Sequence, residues 1–320
     1  MTEMVTRWIE DHAHRLTTFD PEAPLTDLEP LLDIVCDAKV VAIGASTRQT
    51  HELSALSHRI VRLLVEERGF RSLALEGDNP SRIGLAEYIG TGAGDPRALL
   101  AEARPFWQTE EILGVVRWLR SFNRRHPDDP VRFVDNAPTA REQLAQLALP
   151  DGLARIERGM AEDTIRWHED TADRIVYWGG LAHTVDGTPR TVPPASPPMT
   201  HRNAGSYLRE RFGAGYVSIG LTFHHGMAPG PVPEPPAEFA DATLGGTALD
   251  AYLLDPRADG PVPVRTWLTT PTRTRLIGPR YDPADDAAHH LSGGSLTDWC
   301  DALLHVREVT PVRLLSHTRG

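Results

Sequence analysis

The chain has 320 residues, which suits one large α/β domain or two small ones and is enough to bury a core. It carries 33 Lys+Arg against 44 Asp+Glu, a net charge of −11. So acidic a surface repels phosphate backbones and anionic lipid, which argues against nucleic-acid and membrane-surface partners.

The first stretch, Met1 to Leu16, is amphipathic and charged and lacks the apolar core of a leader peptide. Val40-Val41-Ala42-Ile43, ending at Gly44, reads as a buried strand. His51 to Arg68 follows as a helix, with Leu53, Leu56, Ile60, Leu63 and Leu64 at helical spacing. Phe70 to Leu75 is a second strand that runs into Glu76-Gly77-Asp78. Glu110 to Arg124 is helical and Val131 to Val134 a third strand. Ile175 to Trp178, Tyr216 to Phe223 and Leu303 to Val306 complete the strand-like runs. Strands separated by helices imply a central, mainly parallel sheet flanked by helices, whose ligands gather beyond the strands' carboxyl ends. The segments to watch are therefore Gly44 to Glu52, Glu76 to Pro80, Asp135-Asn136, Gly179 to His183 and His224-His225.

The proline-rich stretches 188–198 and 227–236 read as surface loops rather than linkers, because strand-like sequence resumes between them. One domain spanning 1–320 is expected, with no internal repeat. No window approaches the ~20 apolar residues of a membrane span, so a cytoplasmic protein is the default. Cys36 and Cys300 supply neither a disulfide framework nor a thiolate metal cluster. Lys39 is the sole lysine, and with 27 Pro and 26 Gly that bias points to a GC-rich genome of the actinobacterial kind rather than to function.

The chain lacks G-x-S-x-G, a P-loop and G-x-G-x-x-G. His51-Glu52 opens like a zinc helix, but position 55 is alanine, and His58 lies about 10 Å further along the helix, too far to share a metal. No metal and no cofactor are called for. The pairs His224-His225 and His289-His290 read as surface or loop histidines. Gly44-Ala-Ser-Thr-Arg-Gln-Thr-His-Glu52, between strand and helix, is the most informative segment; its small and hydroxyl residues also suit plain helix capping. Glu76 ends a strand in apolar context, where an acid is costly unless paired or used. His183 follows a strand and two glycines.

The run VVAIGASTRQTHELSALSHRIVRLLVEERGFRSLALEGDNP resembles the erythromycin esterase family, in which a strand, G-E-x-x-H, a helix and a strand ending A-L-E occur in that order. Phe106-Trp107-Gln108-Thr109-Glu110-Glu111 is similar to the family's W-x-x-T-E-E. Arg158 with Met160-Ala161-Glu162, the strand before His183, Tyr216 to Gly220 and Asp301 to Leu304 with Thr310-Pro311 look like further landmarks. The resemblance implies the family's α/β fold and a hydrolytic mechanism in which the motif's histidine activates water. The departures are specific. The motif's glutamate is Ala45 and its histidine Arg48; the arginine usually preceding His58 is Ser57; the first histidine of H-N-x-H is Gly180; and Ala137 stands where an acid usually follows the third strand. The family's long helical insertion is reduced to about 138–174.

Arginine stays protonated near neutrality and cannot be the base. Losing a positioned base costs ~10²–10⁴-fold in rate. Three functions stay open. The first is an enzyme of natural-product or modified-peptide metabolism with altered chemistry on a carbonyl or carboxylate substrate. In it Glu76 or His183 moves the proton, Arg48 holds an anion, and His51, Glu52, His58 and Glu110 contribute to substrate binding. The second is an ester hydrolase using His183 or His51 as base. The third is a non-catalytic binder of a small molecule or peptide. The geometric expectation is that Arg48, Glu76 and His183 face one cleft, with Glu110 and His58 near its wall. The sequence sets no oligomeric state.

Overall fold

The computed structural model describes residues 2–135, 145, 147, 151–187, 190–192, 199–278 and 281–316. Its strands in chain order are β1 (His14–Arg15), β2 (Val40–Ala45), β3 (Ser72–Leu75), β4 (Arg132–Phe133), β5 (Ile175–Gly180), β6 (Arg190–Val192) and β7 (Met199–His201). They continue with β8 (Tyr216–Met227), β9 (Pro231–Val232), β10 (Ala251–Leu254), β11 (Thr272–Arg275), β12 (His290–Gly294) and β13 (Ala302–Val309). A nine-stranded sheet runs β1-β10-β13-β8-β2-β5-β3-β4, with β9 pairing β8 off that path. From β13 to β4 every pairing is parallel. β10 joins β13, β1 joins β10 and β9 joins β8 antiparallel. The fold is the α/β class, with a mainly parallel central sheet, that the alternation of strands and helices implies.

The burial of β2 explains why the sheet sits in the middle. All six of its residues are buried, and they alternate between two cores. Val41, Ile43 and Ala45 join the large core beneath helix His51–Arg68, with Leu53, Leu56 and Ile60. Val40 and Ala42 join a second core with Ile156 and Met160 of helix Gly152–Thr171 and Leu208 of helix Ala204–Phe212. A strand's period of two delivers side chains to opposite faces, and both faces are roofed by helices. Helix His51–Arg68 stops at Gly69, whose left-handed φ of 66° lets its N–H reach Leu64 O.

Some boundaries differ from the sequence expectation. β8 continues to Met227, because β13 and β9 keep pairing with it through Val309 and Val232. His224 and His225 therefore lie within the strand rather than beyond its end. His289 is buried rather than on the surface. The antiparallel pair β1–β10 and the hairpin β11–β12 went unread. Pro231–Val232 gives stretch 227–236 an edge pairing, tolerable to proline because it lies off the main path. Of the interval 138–174, helix Gly152–Thr171 is described. Asn136, Ala137 and most of the proline-rich stretch 188–198 lie outside the described residues. Among the described residues no helix is long and apolar enough to cross a membrane.

Candidate functional site

β5 lies between β2 and β3, so whatever follows these three strands meets at their carboxyl ends. Arg48 follows β2, Glu76 follows β3, and His183 sits in the short helix Leu181–Thr184 after β5. Glu76 Oε2 accepts the Gly180 N–H at 2.7 Å and a hydrogen bond from the Arg48 guanidinium. Glu76 Oε1 lies 3.4 Å from His183 Nε2. The backbone allows this because position 179 is glycine: a Cβ there would come within 2.9 Å of Glu76 Cβ. Behind them, Trp107 Nε1 donates to Glu76 O at 3.2 Å.

A fourth residue completes the line. Glu157, fully buried on helix Gly152–Thr171, places Oε1 2.7 Å from His183 Nδ1. Its Oε2 accepts the Ala204 N–H at 2.8 Å. Sequence reasoning passed over Glu157, yet a signal existed. It shares a helical stripe with Met160, Ala161 and Thr164, all buried, and an acid on such a stripe must be paired or used.

The Arg48 guanidinium sits over Phe106, with Cζ 3.8 Å from the ring centroid. It remains one-fifth exposed, while Glu76 is buried. Burial pushes the Glu76 carboxyl up, but the Arg48 charge, His183 and the Gly180 N–H together hold it below the usual carboxylate value. Two residues on, burial pushes Asp78 up to about 6 against the hydrogen bond from Arg104 N. Beneath Arg48 is a cavity of about 10 Å³, room for a single water. Ala45, Arg48 and Ser57 all line it.

The sequence profile described as erythromycin esterase matches residues 65–148 and 136–309. The chain belongs to the erythromycin esterase family. An erythromycin esterase type II of Escherichia coli is 26% identical over 117 residues, 37% of this chain and 28% of that protein. The putative hydrolase YbfO of Bacillus subtilis is 26% identical over 125 residues, 39% of this chain and 27% of that protein. The chain thus matches little more than a quarter of those relatives' length. Among solved structures, a Bacillus cereus protein aligns with a TM-score of 0.82 at 22% identity, over 99% of this chain and 100% of its own. A succinoglycan biosynthesis protein gives 0.80 at 20% identity, covering 98% of both chains. A mutant erythromycin esterase in its open conformation gives 0.67 at 13% identity, over 95% of this chain and 99% of its own. These likenesses establish the fold.

The profile match begins at residue 65, so in this member of the erythromycin esterase family Ala45, Arg48 and Ser57 precede it, while Gly180 falls within it. These four departures are neighbours in space. Ala45, Arg48 and Ser57 border the same small cavity, and a Cβ at Gly180 would stand 3.5 Å from Arg48 Cζ. Where the pattern has histidine at 180, the Arg48 guanidinium now fills the adjoining space.

The remaining candidates do not join this line. Glu52 clamps the C-terminal segment, its carboxylate accepting Thr310 N at 2.7 Å and Thr310 Oγ1 at 2.6 Å. Glu110 forms a two-pronged pair with Arg97 at 2.6 and 2.9 Å. His51 is bonded through Nδ1 to Glu111 at 2.8 Å, which raises its pKa. His58 is buried edge-on to Trp118, and burial lowers its pKa to about 3. The expectation that Glu110 and His58 wall the Arg48 cleft is therefore corrected: with His51 they line a separate cavity between two helices. The physical reason is helical spacing. Ser57 faces the sheet's carboxyl-end cavity, and the next residue, His58, is turned about 100° away from it.

Proposed function

We propose that this protein carries out acid–base chemistry of the hydrolase kind on a small-molecule or peptide substrate presenting a carbonyl or carboxylate to Arg48. The observation that carries the reading is the continuous line Glu157–His183–Glu76–Arg48 beyond three adjacent parallel strands. Arg48 offers its exposed edge as a planar fork for the substrate oxygen, and Phe106 fixes its plane. Glu157 holds His183 Nδ1, which leaves Nε2 as the atom that takes a proton from an attacking water and returns it to the leaving group. Glu76 anchors the Arg48 cation, and its Oε1, 3.4 Å from Nε2, stabilises the imidazolium once the proton has been taken. His51 is the weaker candidate base, since its ring is engaged by Glu111 in the other cavity. Natural-product or modified-peptide metabolism suits a family scaffold whose usual motif is replaced.

A second reading rests on the size of the 10 Å³ cavity: Arg48 and Glu76 close the crevice as an ion pair, and the protein binds without catalysis. One set of variants separates them. Glu76→Gln, His183→Ala and Arg48→Ala are assayed against a panel of aryl esters and lactones alongside thermal melts. Loss of turnover in His183→Ala with a midpoint close to wild type supports the first reading. Earlier unfolding in every variant, with full activity in the folded remainder, overturns it.

A further inference from the structure

A cavity of about 550 Å³ opens between helices His51–Arg68 and Glu110–Arg125, capped by the loop at residues 20–22. That volume falls in the ~300–1,000 Å³ range of small-molecule sites. One wall is the Trp118 ring, met edge-on by His58 with ring centroids 5.8 Å apart. His58 is only 6% exposed, and its Nε2 is buried without a hydrogen-bond partner. Such an orphan is expensive in a native interior. The ring is neutral at working pH, because burial holds its pKa near about 3.

Two further features point the same way. The floor contains Gly114, in the middle of a helix, where a Cβ would meet nothing within 4 Å. Glycine there forgoes helix propensity and leaves the cavity open. At the rim, most charges are already matched: Glu110 by Arg97, Glu111 by His51. Arg117 on the helix lip, and Asp20 and Glu22 on the loop lip, have no ion-pair partner among the described residues. The rim thus offers one spare cation and two spare carboxylates beside an aromatic wall.

We infer that this cavity is a second ligand site, built for a flat aromatic zwitterion of the amino-acid class. The ring lies against Trp118, the carboxylate meets Arg117, and the ammonium meets Glu22 and Asp20. Only Ser54 is shared with the lining of the small cavity beneath Arg48, so occupancy here is separable from the proposed chemistry there.

The probe is L-tryptophan, titrated calorimetrically into the full chain, with tryptamine and indole-3-propionate as partners lacking one charge each. The expected result is saturable one-site binding that is weaker for both partial probes. Arg117→Ala weakens tryptophan binding roughly fivefold, the scale of one exposed ion pair, and leaves tryptamine unchanged. Gly114→Leu fills the cavity and abolishes binding, with a thermal midpoint at or above wild type because leucine is the better helix former. Glu76→Gln leaves binding intact. The inference is overturned if wild type shows no saturable binding at millimolar tryptophan. It is equally overturned if a folded Gly114→Leu variant binds as wild type does, or if Glu76→Gln rather than Arg117→Ala removes binding. Should Gly114→Leu fail to fold, the tryptophan–tryptamine contrast in Arg117→Ala decides.

Discussion

His183 is held from behind by Glu157, with Nδ1 2.7 Å from an oxygen of a carboxylate that has no solvent exposure. A buried acid so placed fixes the ring's orientation and tautomer and directs Nε2 toward Glu76 and the opening. The line is built across the sheet: helix Gly152–Thr171 supplies Glu157, and the turn after β5 supplies His183.

The first prediction concerns that support. In Glu157→Gln the amide oxygen still serves Ala204 N–H, but the ring loses its charged partner. Turnover is expected to fall ~10²-fold or more, toward the value for His183→Ala, because the imidazole is no longer aimed. Stability should drop by about 1–3 kcal/mol, the cost of an imperfectly satisfied buried polar group. The pH–rate profile is the discriminating measurement: a positioning role moves its limbs. A profile unchanged in shape, with activity scaling only with the folded fraction, would leave Glu157 a packing residue.

The Arg48–Glu76 pair gives a second prediction, with a sign that can be worked out. In wild type the folded carboxyl sits below its unfolded value of about 4.5, so it adds stability above that pH and loses it as pH falls. Arg48→Met removes the cation, the largest of the influences that lower the carboxyl, and leaves burial opposed only by His183 and the Gly180 N–H. The variant should be about 3–5 kcal/mol less stable than wild type near pH 7.5 and recover toward it in acid. The double variant Arg48→Met/Glu76→Gln should regain most of the loss. Urea denaturation of the three proteins at two pH values tests it; a single-variant loss that does not shrink with pH would refute the coupling.

How far the sequence carried can be judged from these residues. β2, the helix His51–Arg68 and the convergence of Arg48, Glu76 and His183 were legible because apolar runs and helical spacing mark strand ends, and residues beyond adjacent parallel strands meet there. Strand order was not, since β5 inserts between β2 and β3 from a hundred residues away, and local pattern carries no such information. β10 was missed because Ala251–Leu254 is four apolar residues before Asp255-Pro256, too short to show a period. Glu52 was misplaced for a different reason: its partner Thr310 lies 258 residues off.

Asp78 supplies a third prediction. Its folded pKa of about 6 exceeds the ordinary 3.8, so between those values the folded state holds a proton that the unfolded state has released. Stability therefore declines as pH rises from about 4 to about 6, by up to ~3 kcal/mol for a shift of that size. Asp78→Asn keeps an oxygen for Arg104 N–H and removes the ionisation. The variant should match wild type near pH 4 and exceed it by about 1–3 kcal/mol at pH 7.5. Equal stability differences at both ends would show that the Asp78 carboxyl titrates normally.

The last prediction concerns erythromycin, the macrolide lactone named in the description of the matching family. The purified protein should turn erythromycin over no faster than buffer does. The general base expected at position 48 is a guanidinium, and the carboxylate expected at position 45 is a methyl group. Ala45, Arg48 and Ser57 line one cavity of about 10 Å³, and Gly180 adjoins it, so the loss is of a whole constellation rather than of one residue. Arg48→His alone should stay inactive, because the acid of the motif at position 45 and the arginine at position 57 are still missing. The triple variant Ala45→Glu/Arg48→His/Ser57→Arg restores acid, base and cation together around the same cavity. A slow lactone-opening activity confined to the triple variant is the expected outcome, read by mass spectrometry of the ring-opened acid. Wild-type turnover at kcat/KM of ~10⁴ M⁻¹s⁻¹ or above, the range of ordinary enzymes, would show instead that Glu76 and His183 suffice without the motif.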